Sequence, residues 1–264
     1  MEGLILKYAI MSDVHANPKA LETALADAHG LGCEKYVFCG DVTGYGYDVV
    51  AAMKLVRGEF DMVLMGNHDS ACAGLETKRE CIINHNYHLD VAQREQLDAD
   101  DIEWLRSLKH LHAKNGVAFS HGDFVTPDQW GYIIEDIEAL LSFRARSERL
   151  MFCGHTHHAQ IWQQTASGKL STPHEKLLMD PATAPESLTF KPLKDASYII
   201  NVGSVGYPRH DFCSTYVIYD TRAHTIAIRR LPFDFKSYIQ SMSANRIPLP
   251  SWLTQLLLAA RRSI

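Results

Sequence analysis

The chain has 264 residues, of which 46% are hydrophobic, and a formal net charge of −5. This length suffices for a large core, and the acidic balance gives no general positive surface, so nucleic acid is not an expected partner. No apolar run approaches the length of a membrane span, and the amino terminus lacks the pattern of a signal peptide. Six cysteines without C-x-x-C spacing indicate reduced thiols. We therefore expect a cytoplasmic protein without a membrane partner.

The first part of the chain alternates predicted strands and helices. The strand-like runs "LILKYAIMSD", "KYVFCGD" and "DMVLMGN" are separated by segments with apolar residues at helical spacing. This spacing predicts a helix over 18–29 and a second helix in "DVVAAMKLVRG". Alternating strands and helices are typical of parallel strands joined by crossover helices. Further helices are predicted over 76–97 and in "DADDIEWLRSL", where Asp98 or Asp100 is the expected cap.

The second part of the chain is richer in strands. After a predicted strand in "GVAFSHGD", a helix in "GYIIEDIEALLSFRA" and a strand in "RLMFCGHTH", five short strand-like runs follow: "AQIWQQT", "SLTFKPL", "ASYIINVGS", "STYVIYD" and "TIAIRRL". Turn residues between these runs predict antiparallel pairing. The polar range 173–185 predicts an exposed loop. We predict one domain over 1–264, with a helical cap region at about 76–114 and an amphipathic carboxy-terminal helix at about 250–262.

Polar side chains follow five of the predicted strands at the point where each strand ends. They are Asp13, His15, Asp41, Asn67, His68, His121, His155 and His157. Ligands of open α/β sheets gather beyond the carboxyl ends of the strands, so these side chains are expected to converge. Carboxylate, amide and imidazole ligands without thiolates suit Mn, Fe, Ni, Co or Zn better than Ca. A carboxylate can also bridge two ions, and paired ions can clamp a phosphoryl group.

The ordered motifs "DVH", "GD", "GNHD", "H" and "GHTH" resemble those of the calcineurin-like metallophosphoesterases. The segments "GDVTGYGYDV" and "NVGSVGYPRHD" are similar to stretches of the small bacterial branch of that superfamily, a group of phosphodiesterases and diadenosine-tetraphosphatase-like proteins. The match runs from about residue 8 to about residue 220. The resemblance implies an α/β fold, a four-layer α/β/β/α sandwich of two mixed β-sheets flanked by helices. It also implies two divalent metal ions, manganese first, with iron, nickel, zinc, cobalt or magnesium as alternatives.

The resemblance further implies a role for each motif residue. Asp13, His15 and His157 would hold the first ion, Asn67, His121 and His155 the second, and Asp41 would bridge them. A hydroxide held between the ions would attack the phosphorus, and His68 would act as the general acid. The implied reaction is hydrolysis of a small-molecule phosphate ester, which could be a phosphodiester, a phosphomonoester or a dinucleoside polyphosphate.

An acid histidine needs a carboxylate to orient it. In the related Ser/Thr protein phosphatases that carboxylate lies three residues after the bridging aspartate, a position occupied here by Gly44. The carboxylate is therefore either absent or supplied from elsewhere in the chain, and Asp69 and Asp123 are candidates. Other residues keep two interpretations: Tyr45 and Tyr47 as core or cleft aromatics, Arg209 as a phosphate contact or a surface ion pair, and His158 and His210 as neighbours of the site.

Three other functions compete with a metal-dependent phosphoesterase. A non-catalytic metal-binding scaffold of the same fold is the main alternative, but such relatives tend to lose the acid histidine, which is present here as His68. A Ser/Thr protein phosphatase would carry an arginine shortly after its GD motif, and "GDVTGYG" has none. A nuclease would have no electrostatic support from an acidic chain. The physiological substrate, the native metal and the oligomeric state do not follow from the sequence.

Overall fold

The computed structural model describes residues 6–75, 87–173, 186–209, 213–249 and 253–254. The strands within these ranges are β1 (Lys7–Met11), β2 (Lys35–Phe38), β3 (Met62–Val63), β4 (Leu111–Lys114), β5 (Val117–Ser120), β6 (Leu150–Cys153), β7 (Ala159–Thr165), β8 (Leu170–Ser171), β9 (Ser187–Phe190), β10 (Ala196–Val202), β11 (Cys213–Asp220) and β12 (Thr225–Pro232). The helices are α1 (Pro18–Gly30), α2 (Val49–Glu59), α3 (Asn67–Ala73), α4 (Tyr87–Arg94), α5 (Ala99–Ser107), α6 (Asp136–Ala145) and α7 (Phe235–Ala244).

The strands form two mixed sheets of six strands each. The first has the order β3-β2-β1-β11-β12-β9 and the second has the order β4-β5-β6-β10-β7-β8. The β1–β2 and β5–β6 pairs are parallel, whereas β1–β11 and β10–β7 are antiparallel. The antiparallel pairing predicted for the second half is confirmed for β7 with β10, for β11 with β12 and for β12 with β9, although β10 also runs parallel to β6.

Apolar side chains fill three layers of the sandwich. One cluster lies between the two sheets and includes Ile10, Val37 and Ile200. A second cluster packs α1 and α2 on the first sheet, and a third packs α6 on the second sheet through Phe143. The predicted α/β/β/α arrangement of two mixed sheets flanked by helices is confirmed. None of the helices in the described ranges has the length and apolar content of a membrane span.

Side chains at the helix starts fix where the helices begin. The Asn17 side chain accepts a hydrogen bond from the Ala20 N–H, and Pro18 supplies a preset first residue of α1. At α5 the cap is Asp98, whose side chain accepts from the Asp101 N–H, so Asp100 is not the cap.

The predicted strand "DMVLMGN" is shorter in the structure. β3 ends at Val63, and Asn67 and His68 are the first residues of α3 rather than the end of a strand. The turn arises because the Gly66 N–H donates to the Asp69 carboxylate, which caps the helix. α7, β4 and β8 were not predicted from the sequence.

Several sequence predictions fall on residues outside the described ranges. These are 76–86 of the predicted helix over 76–97, most of the loop at 173–185, and most of the helix at about 250–262, of which only 253–254 are described as helical. α4 and α5 lie within the predicted cap region, whose role as a cap stays a prediction.

Removing a large side chain from the layer between the sheets is expected to destabilise the protein strongly. Phe152 is fully buried there and stacks on Phe119 with ring centroids 5.5 Å apart. Phe152→Ala should lower the free energy of unfolding by about 3–5 kcal/mol, measured by urea denaturation. The control Val50→Ala, at a half-exposed position on α2, should change it by less than about 1 kcal/mol. Equal effects of the two substitutions would contradict this description of the core.

Candidate metal centre

The site lies where the carboxyl ends of β1, β2, β5 and β6 meet at one edge of the sandwich. Ligating atoms lie within 4.8 Å of one another in three buried groups: Asp13, His15 and His157; His15, Asp41 and His68; and Asp41, His121 and His155. Asn67 completes the set, because its Oδ1 is 3.2 Å from His121 Nε2. The structure therefore brings together every site residue predicted from the sequence.

The backbone at the site is held in a sparsely populated conformation. Five of the predicted residues have φ between 45° and 69°: Asp13, His15, Asp41, His155 and His157. Such a conformation costs about 1–3 kcal/mol for a residue other than glycine. It is maintained by hydrogen bonds between the strand ends, including Asp13 N–H to Gly40 O at 3.0 Å and His15 N–H to Asp41 O at 3.1 Å. Strain concentrated at one place in this way is typical of a functional site.

Hydrogen bonds to carbonyl oxygens fix how two of the histidines face the site. Nδ1 of His15 is 2.8 Å from Thr43 O, and Nδ1 of His157 is 2.8 Å from Tyr207 O. A carbonyl only accepts, so each Nδ1 carries a proton and each Nε2 of a neutral ring presents a lone pair. Burial lowers the pKa of His15 to about 4, which favours the neutral ring. The two Nε2 atoms are only 3.1 Å apart, a contact that repels unless a cation lies between them.

Asp13 completes this first group. Its Oδ1 is 3.2 Å from His157 Nε2 and 3.6 Å from His15 Nε2. Asp13 Oδ1 is buried and has no hydrogen-bond partner among the described residues, a state that costs free energy unless the charge is met by a cation. Its other oxygen accepts a hydrogen bond of 3.0 Å from the His155 N–H. One carboxylate oxygen is thus anchored and the other is directed at the two imidazoles.

A second group of ligating atoms surrounds His121. Its Nδ1 is 2.9 Å from Cys39 O, which leaves Nε2 directed into the site. That Nε2 is 3.1 Å from His155 Nδ1. Burial lowers the pKa of His155 to about 3. At His121, burial also disfavours the charged form, but the Asp41 carboxylate outweighs it and raises the pKa to about 9. The Asp41 carboxylate therefore favours a positive charge at His121 Nε2, whether this charge comes from a proton or from a metal ion.

Asp41 lies between the two groups. Its Oδ2 is 3.6 Å from His15 Nε2 and 3.3 Å from His121 Nε2. Its Oδ1 accepts a hydrogen bond of 2.9 Å from the His68 N–H. Burial raises the pKa of Asp41, but the imidazoles of His121 and His68 outweigh burial and hold the pKa below its usual range. One carboxylate oxygen of Asp41 consequently faces both groups of imidazoles.

Glycines next to the site residues make room for the carboxylates. A Cβ atom at Gly66 would collide with the Asp41 carboxylate, and one at Gly154 would collide with the Asp13 carboxylate. Neither glycine needs a left-handed backbone here, so the reason for glycine is space rather than φ.

A carboxylate from elsewhere in the chain orients His68, but the two candidates Asp69 and Asp123 are wrong. His68 Nδ1 is 2.9 Å from Oδ1 of Asp90, a fully buried residue of α4. Asp69 instead accepts hydrogen bonds from backbone N–H groups, including that of Asp41 at 2.8 Å, and Asp123 accepts from two N–H groups of its own loop. Burial lowers the pKa of His68, but Asp90 and Asp41 outweigh it and raise the pKa to about 9. No local motif around Asp90 signals this role.

The same helix fastens the backbone around the site. Gln93 accepts a hydrogen bond of 2.7 Å from the Gly44 N–H and donates one of 3.2 Å to Gly46 O. The Arg94 guanidinium donates to the carbonyl oxygens of Ala71 and Cys72 at the end of α3. α4 therefore holds both the turn that follows Asp41 and the helix that carries His68.

Aromatic rings and one cation surround the buried ligand atoms. Tyr45 stacks on Tyr207 with ring centroids 4.4 Å apart. Tyr132, which the sequence did not indicate, stacks on His155 at 4.0 Å and is 46% exposed. Arg209 lies close enough that its charge opposes the upward pKa shifts that burial causes in Tyr45 and Tyr132, and it has no ion pair within the described ranges.

The structure describes two of the three remaining open residues, Tyr47 and His158. The Tyr47 hydroxyl donates to Asn17 Oδ1 at 3.1 Å, and its ring lies against Tyr238, so Tyr47 packs in the fold. The His158 N–H donates to Thr156 Oγ1 at 3.2 Å. His210 lies outside the described residues.

A family model described as the calcineurin-like phosphoesterase superfamily domain matches residues 6–224. The chain belongs to the calcineurin-like phosphoesterase superfamily. A metallophosphoesterase from Sphaerobacter thermophilus is 28% identical, with 96% of this chain and 98% of that chain covered and a TM-score of 0.78. The uncharacterized protein MJ0912 of Methanocaldococcus jannaschii is 28% identical over 262 residues, which cover 96% of this chain and 98% of the relative.

The hypothetical protein PH1004 of Pyrococcus horikoshii OT3 shares the fold at a TM-score of 0.66. It is 16% identical, with 92% of this chain and 94% of that chain covered. The resemblance drawn from the sequence motifs is therefore confirmed at the level of family and fold.

Members of this phosphoesterase family act with divalent metal ions, and the site fits such ions. The lone pairs on the facing Nε2 atoms of His15 and His157, and the unpartnered oxygen of Asp13, would all be stabilised by a cation. The donors are imidazole, carboxylate and amide groups, a set suited to borderline divalent cations.

Removing the charge of Asp90 is expected to slow this phosphoesterase without removing metal. In Asp90→Asn the amide can still accept from His68 Nδ1–H, but it no longer stabilises the charged ring. General acid catalysis contributes about 10²–10⁴-fold, and the asparagine keeps the hydrogen bond but not the charge, so kcat should fall by about tenfold or more while the metal content stays the same. Asp100→Asn, at an exposed position on α5, should leave both unchanged. A wild-type kcat and pH profile for Asp90→Asn would contradict the role.

Proposed function

We propose that this chain is a dinuclear metal-dependent phosphoesterase that hydrolyses a small-molecule phosphate ester. The observation that carries the proposal is the position of Asp41 Oδ2 between two groups of imidazole nitrogens, 3.6 Å from His15 Nε2 and 3.3 Å from His121 Nε2. Two cations that share one carboxylate account for this arrangement, and paired cations are the usual means of neutralising a phosphoryl group.

The proposed ligands follow the two groups on either side of Asp41. Asp13, His15 and His157 hold one ion, Asn67, His121 and His155 hold the other, and Asp41 is shared. When bound, the ions neutralise charge on the phosphate and lower the pKa of a water molecule that serves as nucleophile. Manganese is the first expectation. Iron, nickel, zinc, cobalt and magnesium are alternatives because this donor set accepts several divalent ions.

His68 supplies the proton in this proposal. Its Nδ1 is held by Asp90, so Nε2 is the nitrogen left to donate to the leaving oxygen. The hydrogen bond from the His68 N–H to Asp41 Oδ1 fixes the backbone of the acid relative to the shared ligand. The distance between acid and ligands is therefore set by α3 rather than by a flexible loop.

Arg209 and Tyr132 are the proposed substrate contacts outside the ligand set. Arg209 carries a positive charge next to the site and has no ion pair within the described ranges, so it can meet a phosphate oxygen that the ions leave uncovered. Tyr132 presents a half-exposed ring beside His155, where it can contact the group attached to the phosphate.

A substrate panel tests the reaction. Purified protein is assayed with Mn, Ni or Mg against bis-p-nitrophenyl phosphate, p-nitrophenyl phosphate, a cyclic nucleotide and a dinucleoside polyphosphate. Hydrolysis of at least one compound that is lost with EDTA and restored by a divalent ion supports the proposal. No turnover with any pair of metal and substrate would favour the alternative of a non-catalytic metal-binding scaffold.

The proposal also covers where the protein is located in the cell and how many domains it has. We place the protein in the cytoplasm, which the free thiols of Cys33, Cys39, Cys72, Cys153 and Cys213 support. We also propose that residues 1–264 form one domain, because both sheets contribute ligand atoms to one site.

A further inference from the structure

The end of the sandwich remote from the metal centre opens into a cavity of about 580 Å³. Tyr8, Lys35 and Val117 line it and lie at the amino ends of β1, β2 and β5, whereas the metal centre lies beyond the carboxyl ends of these strands. The volume falls within the range of about 300–1,000 Å³ that is usual for small-molecule sites. The cavity is therefore separate from the proposed active site and large enough for a ligand of its own.

Aromatic rings form the walls of this cavity. Tyr8 and Tyr219 face each other across the antiparallel β1–β11 pair, with ring centroids 6.3 Å apart and planes inclined by 25°. Both side chains are half-buried, and Phe119 lines the cavity from the other sheet. Here the layer between the sheets ends without a covering element among the described residues. Tyr8 and Tyr219 therefore keep part of their side-chain surface accessible at this end, and aromatic rings stack on planar ligands.

The charges at the rim of the cavity are mainly positive. Lys35 is paired with Asp61, but Lys114 and Arg222 are exposed and neither has an ion pair within the described ranges. The nearby Asp220 carboxylate accepts a hydrogen bond from the Arg222 backbone N–H and is paired with Lys7, so the side-chain cations of Lys114 and Arg222 remain available to an anion. They match an anion with two negative charges better than a neutral or cationic ligand.

We propose that this cavity binds a planar aromatic ring that carries a dianionic phosphate group, as in a nucleoside monophosphate. The ring lies against Tyr8 and Tyr219, and the phosphate lies between Lys114 and Arg222. The inference does not rest on the proposed phosphoesterase activity, because none of these residues belongs to the metal centre.

Calorimetric titration with AMP tests the cavity without interference from the metal centre. The full chain carrying Asp41→Asn is titrated in EDTA with AMP, with adenosine and with inorganic phosphate. We expect one AMP per chain, and at least tenfold weaker binding of adenosine, which lacks the anion, and of phosphate, which lacks the ring. Equal affinity for AMP and inorganic phosphate, or no binding of AMP, would overturn the proposal.

Surface variants then locate the binding. In the same background, Lys114→Ala with Arg222→Ala should weaken AMP binding at least tenfold. Lys54→Ala, an exposed lysine on α2, is the matched control and should not change it. These positions are exposed, so the fold is expected to survive, and amide NMR shifts caused by AMP should appear at Tyr8 and Tyr219. Unchanged affinity in the double variant, or shifts confined to Asp13 and His155, would overturn the proposal.

Discussion

Asp41→Asn is expected to remove metal from the site and to lower kcat by about 10²–10⁴-fold. In the structure, Asp41 Oδ1 accepts from the His68 N–H, and Oδ2 faces His15 and His121. An asparagine that keeps the first hydrogen bond must direct its NH₂ group at the imidazoles, and an amide nitrogen cannot serve as a shared ligand. The charge stabilisation that paired ions supply is several kcal/mol, which corresponds to the stated range of rates.

Elemental analysis and kinetics on the same preparation measure this effect. Wild-type protein should contain about two ions per chain when loaded with manganese, and Asp41→Asn should contain fewer. Asp123→Asn is the matched control: it removes a charge from the loop after β5, where Asp123 Oδ1 accepts from the backbone N–H groups of Val125 and Thr126. Two retained ions and wild-type turnover in Asp41→Asn would show that Asp41 is not shared between cations.

His68→Ala is expected to lower kcat by about 10²–10⁴-fold while the metal content stays that of the wild type. A general acid contributes a factor of this size because it protonates the leaving oxygen in the transition state. The side chain contacts Asp90 through Nδ1 and is not among the proposed ligands. The substitution therefore separates proton transfer from metal binding.

Substrates with different leaving groups provide a second test of the role of His68 as general acid. A p-nitrophenolate leaves without much help from a proton, whereas an alkoxide does not, so His68→Ala should slow alkyl phosphate esters more than p-nitrophenyl esters. His88→Ala, at an exposed position on α4, should change neither rate. Equal slowing of both ester types would mean that His68 has a structural role instead.

The residues that the sequence identified at the site share a local signal. Strand ends of parallel pairs meet at one edge of a sheet, and six of these residues come within four residues of a strand end: Asp13, His15, Asp41, His121, His155 and His157. Local sequence and this topological rule were sufficient to group them. Asn67 and His68 were grouped correctly too, although they begin α3 rather than end a strand, because the residues stay adjacent in either case.

Asp90 and Tyr132 had no such signal. Asp90 reaches His68 because α4 packs against α3, and Tyr132 reaches His155 through the chain between β5 and α6. Both contacts depend on tertiary packing, which the pattern of apolar residues around them does not encode. Motifs in a single sequence therefore reveal the residues that supply ligand atoms more readily than the residues that orient them.

The fold also combines features that a short segment of sequence predicts with features that depend on pairing between distant segments. The parallel first strands and their crossover helices follow from alternating apolar patterns. The pairing of β1 with β11, which sets Lys7 opposite Asp220, joins residues from the two ends of the described chain. Periodicity within a segment gives no information about such a partner, so the assembly of the two mixed sheets followed only from the family resemblance.

The most direct test is anomalous diffraction at the manganese edge from crystals of the full chain grown with manganese. Two peaks are predicted on either side of Asp41, one bounded by His15 and His157 and the other by His121 and His155. A single peak that Asp41 does not contact, or manganese bound only elsewhere on the chain, would contradict a dinuclear centre at these residues.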